Sequence, residues 1–439
     1  MLKVTVPNYC REEISYTLHC LLKEFLGINY EIEFSANQSD FLFTYDNESF
    51  KIKNHFFKTG SYLNLYTEAS IPKNITKGTI EIDNRVYDLV GLYGNVDFDN
   101  NLRVLNLDIL SSAFFMLTRW EEWVTKERDV HNRFDAKESI AVKLDFIHRP
   151  IVNEYVELLW ALLSQIGIKQ LRKVYGYTIV PTHDVDVPYL WKTKIKALRH
   201  LLGKLYHGKI RDVLSGLTFL FRGRDPYNIF SLLMSKSEKI GVKSHFFFMS
   251  GGNSIYDNRY SITESRILSL VRDIKKRDHQ IGFHPSYNAY SNIELFTQEK
   301  VLLERATDQR ISFGRHHYLR FEIPHTIRIW EENDMAWDST LGYAQYCGFR
   351  CGVCHPYQLF DIENRKMLKL RERPLIAMEA TLVVYNKLSL EDAIREVRRL
   401  KSTVKKYNGE FVFLWHNSSV YNIMYRDHMP LLDVMYEQG

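Results

Sequence analysis

Val180-Pro-Thr-His-Asp-Val-Asp-Val-Pro188 is an apolar run that ends in two carboxylates, Asp184 and Asp186, one residue apart. In an extended strand alternate side chains point the same way, so both carboxylates face one side. Two like charges there are costly unless they are used: one to hold a cation, the other to accept a proton. A solvated turn or a helix cap is the other reading of the same spacing. Further apolar runs downstream also end in polar residues, at His284, Arg315 and His416. That recurrence points to a site assembled from strand ends.

Outward from this stretch, the chain from Lys173 alternates strand-like and helix-like segments, the sign of a parallel sheet with crossover helices. Strands are expected near 176–181, 243–249, 280–284, 313–320, 335–338, 376–383 and 410–416, and helices near 227–239, 264–277, 292–308 and 390–406. The region from Val187 to Asp225 interrupts the rhythm with nine Lys or Arg against two acids, Asp212 and Asp225. Its Ile195, Leu198, Leu202 and Leu205 recur at helical spacing, giving a basic amphipathic helix or a solvated helix packed on the domain.

Residues 1–150 read differently, as a separate α+β domain. A helix over about 12–26 is closed by Gly27. Short alternating runs follow at Tyr30–Phe34, Phe41–Tyr45, Phe50–Phe57 and Leu63–Tyr66, then a hairpin over 79–90. An amphipathic helix from about Asp108 to Val124 belongs to it, and another helix over roughly 151–172 follows. This first third shows no catalytic constellation, and Arg128-Asp-Val-His131 reads as a surface turn rather than a metal site.

At 439 residues the chain can form two domains with a well-buried core. Its 45% hydrophobic and 25% charged residues exclude disorder and collagen-like structure. The net charge of +5 does not by itself call for nucleic acid. Cys10, Cys20, Cys347, Cys351 and Cys354 are too few for a disulfide framework, which fits a reducing compartment. The opening residues lack the pattern of a signal peptide and no run of 18 apolar residues occurs, so a cytoplasmic protein is expected.

Gly282-Phe-His284-Pro-Ser-Tyr-Asn288 sets an imidazole at a strand end, and imidazole with the carboxylate of Asp186 is a common divalent-metal pairing. In Gly314-Arg315-His-His-Tyr318-Leu-Arg320 an arginine beside a catalytic carboxylate would hold it ionised and oriented. Either arginine could instead form a structural ion pair, with Glu379 as a partner. Phe411-Val-Phe-Leu-Trp-His416 ends a buried strand in a histidine suited to general acid work. Cys347-Gly-Phe-Arg-Cys351-Gly-Val-Cys354 has the spacing of radical S-adenosylmethionine enzymes, but it lies late in the chain and reads as buried thiols.

In these residues the segment from about 176 to 435 resembles the polysaccharide deacetylase (NodB-homology) family of carbohydrate esterases. In that family a deformed (β/α) barrel carries five short motifs in fixed order. Thr182-His-Asp184-Val-Asp186 matches the first. His284 matches the first position of His-x-x-x-His, with Asn288 where the second histidine belongs. Arg315 and Tyr318 match Arg-x-Pro-Tyr, with His317 in place of proline, and His416 matches the fifth. Trp337-Asp338 or Glu379 is the weak match to the fourth. Asp338-Ser-Thr-Leu-Gly-Tyr and Gly348-Phe-Arg-Cys-Gly add a likeness to a subgroup from bacterial surface-polysaccharide loci, in which the first 150 residues are an accessory domain of unknown role.

The resemblance implies an α/β fold, a NodB-type barrel over 151–439 behind the α+β domain of 1–150, with 187–225 as a basic helical insertion. It implies a metal-dependent hydrolase that removes an N-acetyl group from an N-acetylated sugar or glycan precursor, cleaving a C–N bond other than a peptide bond. Asp184 would be the base, and Asp186, His284 and Asn288 would hold a divalent metal: zinc, or cobalt, manganese or nickel. Arg315 would steady Asp184, the Tyr318 N–H would meet the oxyanion, and His416 would be the acid. The alternative is a catalytically inactive sugar-binding protein on the same fold. The basic insertion is expected at the barrel rim, in contact with anionic lipid or a lipid-linked sugar.

Overall fold

The computed structural model describes residues 1–58, 65–191, 193–257, 260–420 and 423–438. The N-terminal part is built on a six-stranded sheet. Its spatial order is Tyr30–Ser35, Leu2–Pro7, Phe41–Tyr45, Glu48–Ile52, Val104–Leu105 and Phe98–Asp99. Leu2–Pro7, which the sequence reading passed over, lies inside this sheet, parallel to Tyr30–Ser35 and antiparallel to Phe41–Tyr45. The expected first helix links the two parallel strands: Arg11–Leu18 runs on as a wider helical turn over His19–Phe25. The hairpin also forms, as Thr76–Ile82 and Arg85–Gly91. Asp83 and Asn84 turn it with φ of 50° and 62°, the twist that two-residue hairpins favour. The expected run at Leu63–Tyr66 falls in part outside the described residues.

One expected helix is broken. Ile109–Thr118, capped by Asp108, stops at Arg119, whose φ is 53°, and Trp120–Val124 restarts it. The break lets the buried Arg119 guanidinium reach both Glu121 and Glu122, and Glu122 in turn pairs with Arg350 of the C-terminal part. A straight helix would leave this guanidinium among apolar neighbours, where an unpaired charge is expensive.

The C-terminal part is an α/β unit on a nine-stranded sheet. In space its strands run Tyr357–Asp361, Lys366–Glu372, Trp337–Asp338, Phe313–Gly314, Gln280–Phe283, His245–Phe248, Thr178–Val185, Glu410–Leu414 and Ala377–Met378. All neighbours are parallel except the first pair. The inner strands read as near-continuous buried apolar runs because helices cover the sheet. Helices Phe230–Lys239, Ser265–Lys276, Ile293–Thr307 and Leu390–Lys406 lie where the periodicity put them. The last shows why: the Ser389 hydroxyl accepts from Asp392 N, and Ala393, Val397, Leu400 and Val404 form one buried stripe.

Two strand expectations were too long, and both failures build the site. After Phe313–Gly314 the chain leaves the sheet through Tyr318 and Leu319, with φ of 61° and 54°. After Ala377–Met378 it coils into a helical turn over Thr381–Tyr385. The hairpin of Tyr357–Asp361 and Lys366–Glu372 was missed, although Leu368, Leu370 and Glu372 alternate inward.

The sheet is not a closed barrel: among the described residues no ladder joins its two end strands. Instead one run of chain crosses the gap, pairing with Trp337–Asp338 through Arg371 and Glu372 and, five residues on, with Glu410–Leu414 through Ala377 and Met378. Arg373 sits on that crossing, 2.7 Å from Glu410 and over the Trp337 ring. The end strands, Tyr357–Asp361 and Ala377–Met378, have no ladder between them among the described residues, and the second is only two residues long. The main hydrophobic core runs from Leu2 to Tyr436 without a gap at residue 150.

Phe283 and Gly314 approach so closely that a Cβ on Gly314 would lie 1.8 Å from the Phe283 carbonyl oxygen. On Gly282 it would meet the Phe247 ring at 2.5 Å, a side chain that can move. Gly314→Ala should therefore destabilise the protein by about 3 kcal/mol or more and Gly282→Ala by about 1 kcal/mol, measured by denaturant unfolding. Equal losses would contradict this strand spacing.

Candidate metal centre and active site

The strand that carries Asp184 ends at Val185, so Asp184 is buried inside the sheet while Asp186, just past it, is partly exposed. Both carboxylates face the same side, where they meet side chains from the neighbouring strand ends. His284 Nε2 lies 3.2 Å from Asp186 Oδ1 and 3.8 Å from Asp184 Oδ2. Arg315 donates from Nη1 to Asp184 Oδ1 at 2.9 Å, and its other nitrogens are fixed by Ser339 O and Oγ. His416 Nε2 stands 3.7 Å from Asp186 Oδ2.

The third imidazole is His317, with Nε2 3.8 Å from Asp186 Oδ1. Asp186, His284 and His317 each offer a ligand atom within 4.8 Å of the others. Asn288 is not brought to this group. It is exposed, and its amide oxygen is 3.4 Å from Arg320 Nη1. The signal for His317 was present as the histidine that replaces proline in Arg-x-Pro-Tyr. The turn through Tyr318 and Leu319 is what swings this side chain back to Asp186.

Three observations fit a divalent metal here. Asp186 Oδ1 and His284 Nε2 are buried without a hydrogen-bond partner, although they face each other at 3.2 Å. His284 Nδ1 is 2.6 Å from the Arg315 carbonyl oxygen, an acceptor only, so Nδ1 carries the proton and Nε2 presents its lone pair in the neutral ring. His317 Nδ1 lies 3.6 Å from Asp257 Oδ1, at ion-pair distance without a hydrogen bond. One carboxylate and two imidazoles are a donor set that suits zinc and its neighbours.

The electrostatics follow from burial and these contacts. Burial opposes charge on Asp186, but His317, His284 and His416 outweigh it and hold its carboxyl well below the usual range. Burial also opposes charge on His284, yet Asp184 and Asp186 raise it. His416 is pushed up to about 10: burial would lower it, but Glu379 overrides that through the 2.7 Å contact with Nδ1. Glu379 is held low by His416 against its own burial and also accepts from Ser419 Oγ. Glu379 thus pairs with His416, not with an arginine. Arg320 instead stacks between the rings of Tyr287 and Tyr290.

The N-terminal part reaches this site. The Arg128–Phe134 turn places His131 against Tyr318 and Tyr287, and Arg133 donates to the Tyr318 carbonyl at 2.8 Å. Arg133 lines, with Asp184, Asp186, His284, His317 and His416, a cavity of about 270 Å³ whose lining also includes Met378, Val384 and Leu414. A larger cavity of about 790 Å³ opens beside it and shares Asp186, His317 and Tyr318. The three cysteines at 347–354 are buried and face separate partners: Cys347 the Met378 carbonyl, Cys354 Asn153, and Cys351 Tyr357.

A family model described as a family of unknown function, DUF7033, matches residues 2–167. No curated protein matches the chain. Among solved structures, the chain is similar to a protein from Mycobacterium smegmatis assigned as a polysaccharide deacetylase. The identity is 15% and the TM-score 0.39, over 60% of this chain and 84% of that one. It is also similar to a mutant of a CE4 family pseudoenzyme with restored enzymatic activity, at 11% identity and a TM-score of 0.27, over 60% of this chain and 62% of that one.

Replacing His317 by alanine should weaken divalent-metal binding by more than about 100-fold, beyond the loss typical of a residue that only supports a ligand. Asn288→Ala should bind metal as the unaltered protein does. Titration with zinc against a chelating indicator measures both, and the reverse ranking would restore Asn288 as the ligand.

Proposed function

We propose that the protein is a metal-dependent hydrolase that removes an N-acetyl group from an N-acetylated sugar or glycan precursor, on a barrel-like fold of the polysaccharide deacetylase type. The observation that carries this reading is the division of labour around one point: Asp184 paired with Arg315, a ligand trio of Asp186, His284 and His317, and the His416–Glu379 pair opposite.

A divalent ion, zinc in this reading, would supply Lewis acidity to the amide carbonyl and to water. Asp184, oriented and charge-balanced by Arg315, takes the proton from the attacking water. The Tyr318 backbone N–H, at the left-handed turn beside His317, is the donor for the developing oxyanion. His416, held by Glu379 through Nδ1, delivers a proton from Nε2 to the departing amine. Its upward shift to about 10 supports a histidine that carries this proton at neutral pH.

Residues 1–150 are, in this proposal, an accessory part that completes the mouth of the site through His131 and Arg133. An origin in surface-polysaccharide metabolism and a cytoplasmic setting belong to the same reading, the latter supported by five free, buried cysteines.

Asp184→Asn should keep its metal and lose turnover by about 100-fold to 10,000-fold, because an amide cannot accept the proton. His416→Ala should also keep its metal and slow amine departure. Acetate release from chitooligosaccharides and nucleotide-linked N-acetylhexosamines, read beside metal content, tests both. Near-normal acetate release by Asp184→Asn would refute the mechanism.

A further inference from the structure

The segment after Asp186 forms two helices, Lys194–Tyr206 and Ile210–Phe221, packed against each other over a small core of Trp191, Ala197 and Leu201. This core uses only one side of each helix. On the first helix Ile195, Leu198, Leu202 and Leu205 share another face, each more than half exposed. On the second, Ile210, Leu214 and Phe221 do the same, at 59%, 61% and 86% exposure. Eight of the twenty exposed large apolar side chains among the described residues lie in this one hairpin. Such concentration differs from the single exposed apolar residues that any surface carries.

The charge is equally one-sided. Both acids of the region are engaged internally: Asp212 is buried beside Lys204 and Arg426, and Asp225 accepts from the backbone N–H groups of Leu190, Trp191 and Tyr227. Lys194, Arg199, Lys209 and Arg211 stay exposed around the apolar stripe, while Lys192 lies outside the described residues. An apolar stripe flanked by cations is the pattern of a helix that lies in a membrane interface. A second copy is a poorer occupant, since a two-fold contact would set this cationic border against itself. No described helix is long and apolar enough to cross a membrane, so the contact is with the surface.

We propose that this hairpin is a docking surface for an anionic phospholipid bilayer, with the Ile195–Leu205 and Ile210–Phe221 stripes in the acyl boundary and the lysines and arginines on the headgroups. The hairpin and the larger cavity share a wall: Lys196, Tyr189 and Leu190 line it together with Asp186 and His317.

The test is co-sedimentation of the full-length, metal-loaded protein with vesicles of phosphatidylcholine mixed with phosphatidylglycerol, against phosphatidylcholine alone. The protein should partition onto the anionic vesicles and be released as salt screens the headgroups. Leu198→Ser with Leu202→Ser and Leu214→Ser, and separately Lys194→Gln with Arg199→Gln and Arg211→Gln, should each weaken partitioning by at least about tenfold. All six positions are exposed, so an unchanged melting temperature is expected for both variants. Equal binding to neutral vesicles, or undiminished binding by either variant, would overturn the proposal. Self-association in vesicle-free buffer that the serine variant abolishes would also overturn it, by assigning the face to a second copy.

Discussion

Two carboxylates one residue apart at the end of a buried strand repel each other, and the side chains around Asp184 and Asp186 are arranged by that repulsion. Asp184 is answered by Arg315, which is itself pinned by Ser339. Asp186 is answered by three imidazoles, one of which is backed by Glu379 and another by Asp257. Removing one partner of such a buried pair leaves an uncompensated charge, at a cost of roughly 3–5 kcal/mol. Close by, the fold answers the same problem in another way. Asp338 and Glu372 are register partners on adjacent strands. Burial, and then their mutual repulsion, raises Glu372 well above the usual range, and burial pushes Asp338 up to about 7. That pair is pushed toward the neutral acid by burial, whereas the site at the strand ends is met by counter-charge.

The N-terminal part is tied to this arrangement at two levels. Deep in the core, Arg119, Glu122 and Arg350 form a buried ion chain between the two parts. At the surface of the site, Arg133 holds the carbonyl of Tyr318, one of two consecutive left-handed residues. Each such residue costs on the order of 1 kcal/mol in a side chain of this size. The turn that brings His317 to Asp186 is thus kept in place from outside the parallel sheet.

Much of this was legible in the sequence because it rests on local patterns. Alternating carboxylates at 184 and 186 predict a shared face, and the crossover helices follow from apolar periodicity. What was missed depends on chain direction beyond a strand end. His317 looked like a lost proline because only the reversal at Tyr318 and Leu319 aims it at the site. The family resemblance put Asn288 in a ligand's place, yet the chain past His284 turns it outward to Arg320. The barrel expectation met an open sheet because the chain passes from Glu372 to Ala377 without a ladder between the described end strands, which no periodicity resolves. The turn at Arg128–Phe134 showed no sign of its role, since its contacts with Tyr287 and Tyr318 span more than 150 residues of sequence.

The account stands on Asp186, His284 and His317 acting as one coordination group. X-ray absorption at the zinc edge of the zinc-loaded protein measures that group directly. The prediction is a shell of oxygen and nitrogen at about 2.0–2.2 Å with the outer scattering of two imidazoles. A shell with one imidazole, or with sulfur at about 2.3 Å from the cysteines, would contradict it.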